Sequence, residues 1–236
     1  MDIQTEVAKR LRNHLSSVQQ EQFDLYLRML LEARRRASLT SLADRASIQR
    51  RHFLESIALL GALEDAGVVA SPVIDIGTGA GIPGLPVKIA RPDLVMTLVE
   101  ATGKKTRFLE AVVQELGLTG VSVLQARAEE LAQEPDQRAA YALALARAVA
   151  PLRVLVELTL PFVRIGGCLA APKGSGAARE VTEAEKALFV CGGAVERIER
   201  LDVPAGPPPT LVLVRKVAET PKAYPRRAGI PRKRPL

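Results

Sequence analysis

The chain has 236 residues, of which 47% are hydrophobic and 25% are charged. This length allows one sizeable α/β core with a modest appendage, and it excludes two full enzyme domains. Lys and Arg outnumber Asp and Glu by 33 to 26, and the net charge of +7 favours a polyanionic partner without distinguishing RNA from DNA.

Membrane and metal proteins are disfavoured by what the sequence lacks. No apolar run reaches the roughly 18 residues of a membrane span, and residues 1–10 have no uninterrupted apolar core of the kind that signal peptides need. We therefore expect a cytoplasmic monomer without membrane contact. Cys168 and Cys191 have no neighbouring Cys or clustered His, so we expect two small core residues and no metal site.

The N-terminal part of the chain has helical periodicity. From Glu6 to about Gly67, apolar residues recur three and four positions apart. Residues that favour helix starts or ends are Thr40 or Ser41, Asp44, Gly61 and Gly67. We predict a helical cap over residues 1–70.

From Ser71 onward, short β-branched runs alternate with helical stretches. The predicted strands span residues 73–76, 95–99, 121–124, 141–145, 168–171, 194–201 and 211–217. The predicted helices between them span residues 83–90, 104–116, 151–160 and 177–190. Strands separated by such helices form parallel βαβ units, so we predict an α/β domain over residues 71–217 with about seven, mostly parallel strands.

Residues 218–236 form a basic, Pro-rich tail. From Arg215 to the C-terminus the cations are Arg215, Lys216, Lys222, Arg226, Arg227, Arg232, Lys233 and Arg234, against the single acid Glu219. This composition predicts an extended arm rather than a core element. Phosphate contact by the tail and by the Arg34-Arg35-Arg36 cluster, and a merely solvating tail, both stay open.

A glycine loop, Asp75-Ile76-Gly77-Thr78-Gly79-Ala80-Gly81, directly follows the first predicted strand. Its glycines let the backbone approach a ligand closely, but their spacing differs from the dinucleotide fingerprint. Asp75 can face a cationic ligand, and Glu100 ends the second strand, where an acid can bind ribose hydroxyls. S-adenosylmethionine carries a ribose and cationic groups but no phosphate, so the loop favours it over NAD.

Charged residues also follow the third and fourth strands. Arg127-Ala128-Glu129-Glu130 can bracket an adenine, although a helix start with acids in its first turn is an equally open interpretation. Arg147 lies at the expected mouth of the site, or is only a solvated charge. The Asn/Asp-Pro-Pro-aromatic motif of amino-group methylation and the Cys-Pro pair of pyrimidine carbon methylation are both absent. Guanine N7 has a lone pair and no proton to lose, so its methylation needs no general base, and the sequence permits it.

Taken together, these residues resemble the ribosomal small-subunit RNA methyltransferase G family, also called glucose-inhibited division protein B. The resemblance runs from about Phe23 to Leu236. The segments that carry it are Leu39-Thr40-Ser41, His52-Phe53-Leu54-Glu55-Ser56, the glycine loop through Gly84-Leu85-Pro86, residues 103–109, residues 127–130, Arg147-Ala148, Lys173-Gly174 and Tyr224-Pro225-Arg226-Arg227.

The resemblance implies a Rossmann-like class I methyltransferase with helices on both faces of its sheet. It implies S-adenosylmethionine as cofactor, N7-methylguanosine near the decoding region of 16S rRNA as product, and 16S rRNA, the small ribosomal subunit or an assembly intermediate as partner. The residues expected at the cofactor are Asp75, Gly77, Gly79, Ile82, Glu100, Ala101, Thr102, Ala128, Glu129 and Arg147, with Arg147 also bordering the target as the catalytic candidate. The candidates for RNA contact are His52, Arg127, Lys173, Arg226 and Arg227; for His52 a buried capping role is the alternative.

The chain departs from the family pattern at Ser38, at Glu55 and at Pro209-Thr210, where the family often has Asn, Asp and Arg-His. The last change puts RNA contact by that loop in doubt. Three alternatives stay open: a methyltransferase of this fold acting on another RNA or a protein, a non-catalytic RNA-binding assembly factor, and an NAD-dependent oxidoreductase.

Overall fold

A computed structural model describes residues 15–37, 39, 42, 44–203 and 207–236. The predictions for Thr40 and Ser41, and the N-terminal residues 1–14, lie outside this range, as do the side chains of the Arg34-Arg35-Arg36 cluster. Within it, no helix combines the length and apolarity that crossing a bilayer requires.

The strands in the described part of the chain are β1 Val73–Ile76, β2 Met96–Glu100, β3 Val121–Gln125, β4 Tyr141–Leu145, β5 Val163–Lys173, β6 Gly193–Arg200 and β7 Thr210–Lys216. The α-helices are α1 Ser17–Ala37, α2 Arg45–Ile48, α3 Glu55–Asp65, α4 Gly84–Ala90, α5 Gly103–Glu115, α6 Ala128–Leu131, α7 Leu152–Thr159, α8 Ala177–Glu183, α9 Glu185–Cys191 and α10 Ile230–Lys233. A π-helical stretch, Gln49–Leu54, joins α2 to α3, and a 3₁₀ turn, Leu160–Phe162, follows α7.

The strands form one sheet in the order β3-β2-β1-β4-β5-β7-β6. Strands β1 to β5 are parallel, and β7 runs antiparallel between β5 and β6. The order reverses between β1 and β4, and ligands of such sheets bind beyond the carboxyl ends of the strands at this point. The prediction of a seven-stranded, mostly parallel sheet is confirmed.

Two hydrophobic clusters cover the two faces of the sheet. One joins α1 and α3 of the cap to α4, α5 and one sheet face, and Tyr26 stacks on Phe53 at its centre with ring centroids 5.3 Å apart. The other packs α7 and α9 against the opposite face and includes Cys191, while Cys168 lies in the first; both thiols are free and buried, as predicted. The cap therefore shares a core with the sheet.

Several predicted boundaries are wrong for identifiable reasons. Strand β5 begins at Val163, whereas the predicted strand begins at residue 168. The first part was missed because residues 164–166 are exposed and lack the apolar pattern of a buried strand. The predicted helix 177–190 is two helices that meet at Ala184, where ψ is 0° and no Gly or Pro marks the break. Gly61 lies inside α3, whereas Asp44 does start a helix, accepting a 2.8 Å hydrogen bond from the Ser47 amide.

The tail is not an extended arm. Arg226 donates to the buried Glu157 carboxylate of α7 through Nε (2.9 Å), Nη2 (2.6 Å) and its own amide (2.8 Å). Arg138 donates to the carbonyl oxygens of Thr220 (2.8 Å) and Tyr224 (2.9 Å). These contacts fold the tail onto the domain. The composition of the tail shows its charges, but it does not reveal that Glu157 on α7 is buried and pairs with one of them.

Candidate active site

The side chain of Asp75 holds the glycine loop from the protein interior. This side chain is fully buried, and its Oδ2 accepts hydrogen bonds from Thr78 Oγ1 (2.5 Å) and the Gly84 amide (2.9 Å). Gly84 must be glycine for this contact, since a Cβ there would lie 2.7 Å from Oδ2. The cap contributes as well, because the Tyr26 hydroxyl donates to the Ala80 carbonyl oxygen at 2.5 Å.

The other Asp75 oxygen, Oδ1, is buried and accepts no hydrogen bond from a described residue. Burial raises the pKa of this carboxyl to about 6, although the bonds from Thr78 and Gly84 act in the opposite direction. An acceptor left without a donor in the interior is costly, and the Arg147 charge, which also opposes the rise in pKa, offsets part of this cost.

Gly77 opens the loop at φ +66°, a left-handed conformation that favours glycine. A Cβ at this position would lie 2.9 Å from Val149 Cγ2. The loop after β1 and the loop after β4 are thus packed directly against each other, which places both at the reversal of strand order.

A cavity of 400 Å³ lies beside Gly77, at the carboxyl ends of the strands. Its lining is Ile76, Gly77, Val99, Glu100, Ala101, Lys105, Ala126, Arg127, Ala128, Glu129, Ala148, Val149, Leu158, Gly229 and Arg232. We call it the donor cavity. It brings together six of the residues predicted from sequence, namely Gly77, Glu100, Ala101, Arg127, Ala128 and Glu129.

Glu100 is positioned by two amides. Its Oε2 accepts from Gly79 at 3.1 Å and its Oε1 from Thr102 at 2.9 Å, so these two predicted residues contact a cavity residue but are not part of the lining. A carboxylate oxygen has a second lone pair, so each oxygen can still accept a hydroxyl proton. The pair of oxygens therefore fits a ribose diol. Ile82 lies instead in the core shared by cap and sheet.

A second cavity, of 640 Å³, adjoins the first, and Ala148 and Val149 line both. Its lining is Arg51, Glu55, Arg147, Ala148, Val149, Ala150, Pro151, Pro172, Lys173, Gly174, Ser175, Glu180, Pro207, Pro208 and Pro209. We call it the acceptor cavity. Ala148 has φ +56°, an uncommon conformation for a residue with a Cβ, so the shared wall is a strained turn.

Arg147 connects this wall to the cap. Its Nη2 lies 3.0 Å from Glu55 Oε2, and the two side chains are 16% and 15% exposed. Burial lowers the pKa of Arg147 and raises that of Glu55, while their contact opposes both shifts. Arg147 Nη1 is buried and donates to no described acceptor. His52 lies nearby on the π-helical stretch, where burial and the Arg147 charge lower its pKa to about 4, so its ring is neutral at pH 7.

Lys173 lines the acceptor cavity but is engaged within the protein. Its Nζ lies 2.9 Å from Glu180 Oε2 and donates to the Ala150 carbonyl oxygen at 2.7 Å. Glu180 Oε2 also accepts from the Leu152 amide at 2.7 Å. Lys173 thereby positions the loop after β4, and a direct RNA contact stays a prediction.

The two tail candidates differ from each other. Arg226 pairs with Glu157, whereas Arg227 is exposed. Both line a groove that also includes Glu129, and neither lines the donor or the acceptor cavity. Ala148, Val149, Gly229 and Arg232 line the cavities but were not predicted to do so. Glu55 was singled out only as a departure from a family motif, although an acid three residues after a motif histidine on a helical stretch indicates a shared face.

Comparison with known proteins agrees with this geometry. Residues 19–205 match the model of a family described as rRNA small subunit methyltransferase G. The ribosomal RNA small subunit methyltransferase G of Chloroflexus aggregans is 47% identical over 94% of this chain and 92% of its own length. That of Roseiflexus castenholzii is 45% identical over 100% of both chains. A precorrin-6y C5,15-methyltransferase from Geobacter metallireducens shares the fold, with a TM-score of 0.50 and 15% identity over 68% of this chain and 87% of its own.

Proposed function

This chain belongs to the ribosomal RNA small subunit methyltransferase G family, and we propose that it transfers a methyl group from S-adenosylmethionine to N7 of a guanine in 16S rRNA. The observation that carries the proposal is the wall formed by Ala148 and Val149, which lines both cavities. A donor on one side and a flat base on the other are then neighbours, as methyl transfer requires.

The donor cavity fits the group that the family implies. Glu100 offers two oxygens to the ribose hydroxyls, and Ala128 and Glu129 lie where the adenine would be bracketed. Gly77 keeps the wall free of a Cβ, and Asp75, buried behind the glycine loop that it holds through Thr78 and Gly84, adds negative potential on that side of the cavity. When bound, S-adenosylmethionine supplies an electrophilic methyl group on a sulfonium.

The acceptor cavity needs only to hold and orient the base. Guanine N7 carries its lone pair in the ring plane and loses no proton on methylation, so catalysis rests on proximity and electrostatics. Arg147 reaches the wall between the cavities, and Glu55 fixes its guanidinium. His52 lies near this pair with its ring uncharged, so it adds no further positive charge where a cationic base is formed.

Binding of the RNA strand is assigned to exposed cations around the acceptor cavity and on the tail, including Arg51 and Arg227. Each Lys or Arg that meets a phosphate releases counterions, so the net charge of +7 supports this assignment. We further propose that the protein acts as a cytoplasmic monomer on 16S rRNA or an assembly intermediate, since one chain lines both cavities.

The experiment uses 16S rRNA transcribed with either guanosine or 7-deazaguanosine, incubated with the protein and S-adenosylmethionine labelled in its methyl group. We expect incorporation into the guanosine transcript and none into the 7-deaza transcript, because carbon replaces the nucleophilic nitrogen. Equal incorporation into both transcripts would contradict N7 as the target. Intact binding of the 7-deaza transcript, measured by filter retention, is the control.

A further inference from the structure

The C-terminal tail reaches the donor cavity with two residues. Gly229 and Arg232 are part of the cavity lining, although they lie beyond the last strand of the sheet, β7, which ends at Lys216. The tail is fixed to the domain before it arrives there. Arg226 binds Glu157, and Gln133 Nε2 donates to the Pro225 carbonyl oxygen at 2.9 Å.

Each of the two residues makes a specific contact with the cavity wall. The Gly229 amide donates to Glu129 Oε1 at 2.9 Å, which orients the carboxylate on the adenine side. Arg232 Nη2 donates to the Val149 carbonyl oxygen at 2.8 Å. Val149 belongs to the wall that separates donor and acceptor, and its side chain packs on Gly77.

From these contacts we infer that residues 229–232 are part of the donor-binding site, and that Arg232 is a binding and positioning residue for the adenosine half of the donor. The inference rests on the proposed function. Residues 229–232 give the cavity a wall on the side of α7, which neither the glycine loop nor the strand ends provide.

The chemistry of Arg232 fits this role. A guanidinium has five N–H donors in a plane, and the hydrogen bond to the Val149 carbonyl oxygen uses one of them. The remaining donors can bind the ring nitrogens of adenine, and the guanidinium plane can stack on a purine face. Glu100 and Glu129 on the same cavity offset its charge, so a cationic donor is still accommodated.

The hydrogen bond from Arg232 to Val149 also restrains the strained turn at Ala148. The residue is held at φ +56°, and the neighbouring Val149 carbonyl is anchored by Arg232. Without the guanidinium, this strained turn is free to relax and to withdraw Val149 from Gly77. Loss of Arg232 is therefore expected to weaken donor binding, while Arg147 on the acceptor side keeps its contact with Glu55.

The test compares Arg232→Ala, a chain ending after Ala228, and Lys233→Ala as the matched control on the same short helix. The truncation keeps Arg226 and its bond to Glu157, so the rest of the tail stays anchored. Calorimetric titration with S-adenosylhomocysteine and with 5′-methylthioadenosine, which lacks the amino-acid part, gives the Kd values. Methyl transfer to 16S rRNA gives KM and kcat.

For Arg232→Ala we expect Kd to rise about tenfold for both ligands, as for loss of a charge-assisted hydrogen bond. The KM for S-adenosylmethionine should rise in parallel, with kcat at saturation within about twofold of the wild type. The truncated chain should lose at least as much affinity. Lys233→Ala should match the wild type.

Wild-type affinity in both Arg232→Ala and the truncated chain would overturn the inference, as would a loss seen with S-adenosylhomocysteine but not with 5′-methylthioadenosine. Failure of the wild-type protein to bind either ligand would instead remove the proposed function. Thermal unfolding of each variant separates a loss of affinity from a loss of fold, because Arg232 is exposed and its removal should leave Tm unchanged.

Discussion

Arg147 Nη2 lies 3.0 Å from Glu55 Oε2, so the loop after β4 is tied to the first residue of a helix in the N-terminal cap. The contact lies in the acceptor cavity, next to the wall that this cavity shares with the donor cavity. The cap is therefore part of the site. Variants of the two residues, alone and together, separate the contribution of Arg147 to catalysis from its contribution to stability.

Arg147→Ala is predicted to lower kcat/KM for methylation of 16S rRNA about 100-fold, because it removes the side chain that orients the base at the wall between the two cavities. It should also lower the free energy of unfolding by about 1–3 kcal/mol, since the half-buried Glu55 loses its shortest ion pair and keeps only the 3.9 Å contact with Arg51. The double variant with Glu55→Gln should recover stability but not activity. Arg107→Ala, at an exposed position on α5, is the control. Unchanged turnover in Arg147→Ala would take this residue out of the site.

Glu100→Gln is predicted to raise the Kd for S-adenosylhomocysteine about 10- to 100-fold. An amide retains one acceptor oxygen, and its NH₂ group opposes the Gly79 or Thr102 amide that the carboxylate now binds. Isothermal titration calorimetry measures the effect, with the exposed Glu110→Gln on α5 as the matched control. Equal affinity in the two variants would refute the assignment of Glu100 to the ribose.

Asp75→Asn is predicted to stabilise the fold at pH 8 while weakening donor binding. The native pKa of about 6 exceeds the usual 3.8, so the native state holds this proton more tightly than the unfolded chain does. The stability from this group is present below about pH 4 and is lost as pH rises through 6, at a cost of about 3 kcal/mol.

An Asn side chain can keep its oxygen toward Thr78 and Gly84 without carrying a charge. The gain in Tm over the wild type should therefore be largest at pH 8 and vanish near pH 4, as followed by differential scanning calorimetry, with the exposed Asp65→Asn as control. A gain that is constant with pH would show that the buried charge is not its cause.

Arg226 and Arg227 are predicted to behave differently although they are neighbours. Arg226→Ala strands the Glu157 carboxylate, which is fully buried, and should cost about 3–5 kcal/mol of unfolding free energy. Arg227→Ala should leave stability unchanged and reduce the salt dependence of RNA binding by about one phosphate contact. Chemical denaturation and filter binding over a salt series measure these effects. Identical behaviour of the two variants would contradict the separate roles.

Much of the fold follows from sequence because its signals are local. Strands β1 and β4 are bounded as predicted, since each is a short, fully buried run. The break between α8 and α9 at Ala184 could not be predicted, because tertiary packing causes it and no breaker residue marks it.

The site residues likewise divide into those with a local sequence signal and those that depend on tertiary contacts. Gly77, Glu100 and Glu129, predicted from strand ends and glycine spacing, line the same cavity, because both signals are local in sequence. The partners of Lys173 and Arg226 were missed, because Glu180 lies on α8 and Glu157 on α7, and only the folded chain brings them to the end of β5 and to the tail. Arg232 was seen as one charge among many in the tail, and its place in the donor cavity depends on the path that Arg226 fixes.

The most direct measurement is the chemical identity and position of the product. The protein is incubated with methyl-labelled S-adenosylmethionine and 16S rRNA from cells that lack the activity; the RNA is then digested and analysed by mass spectrometry, with Glu100→Gln in parallel. We predict a single 7-methylguanosine per RNA molecule, strongly reduced in the variant. Label in N2-methylguanosine or another nucleoside, or no transfer by a protein that binds the donor, would contradict the proposed function.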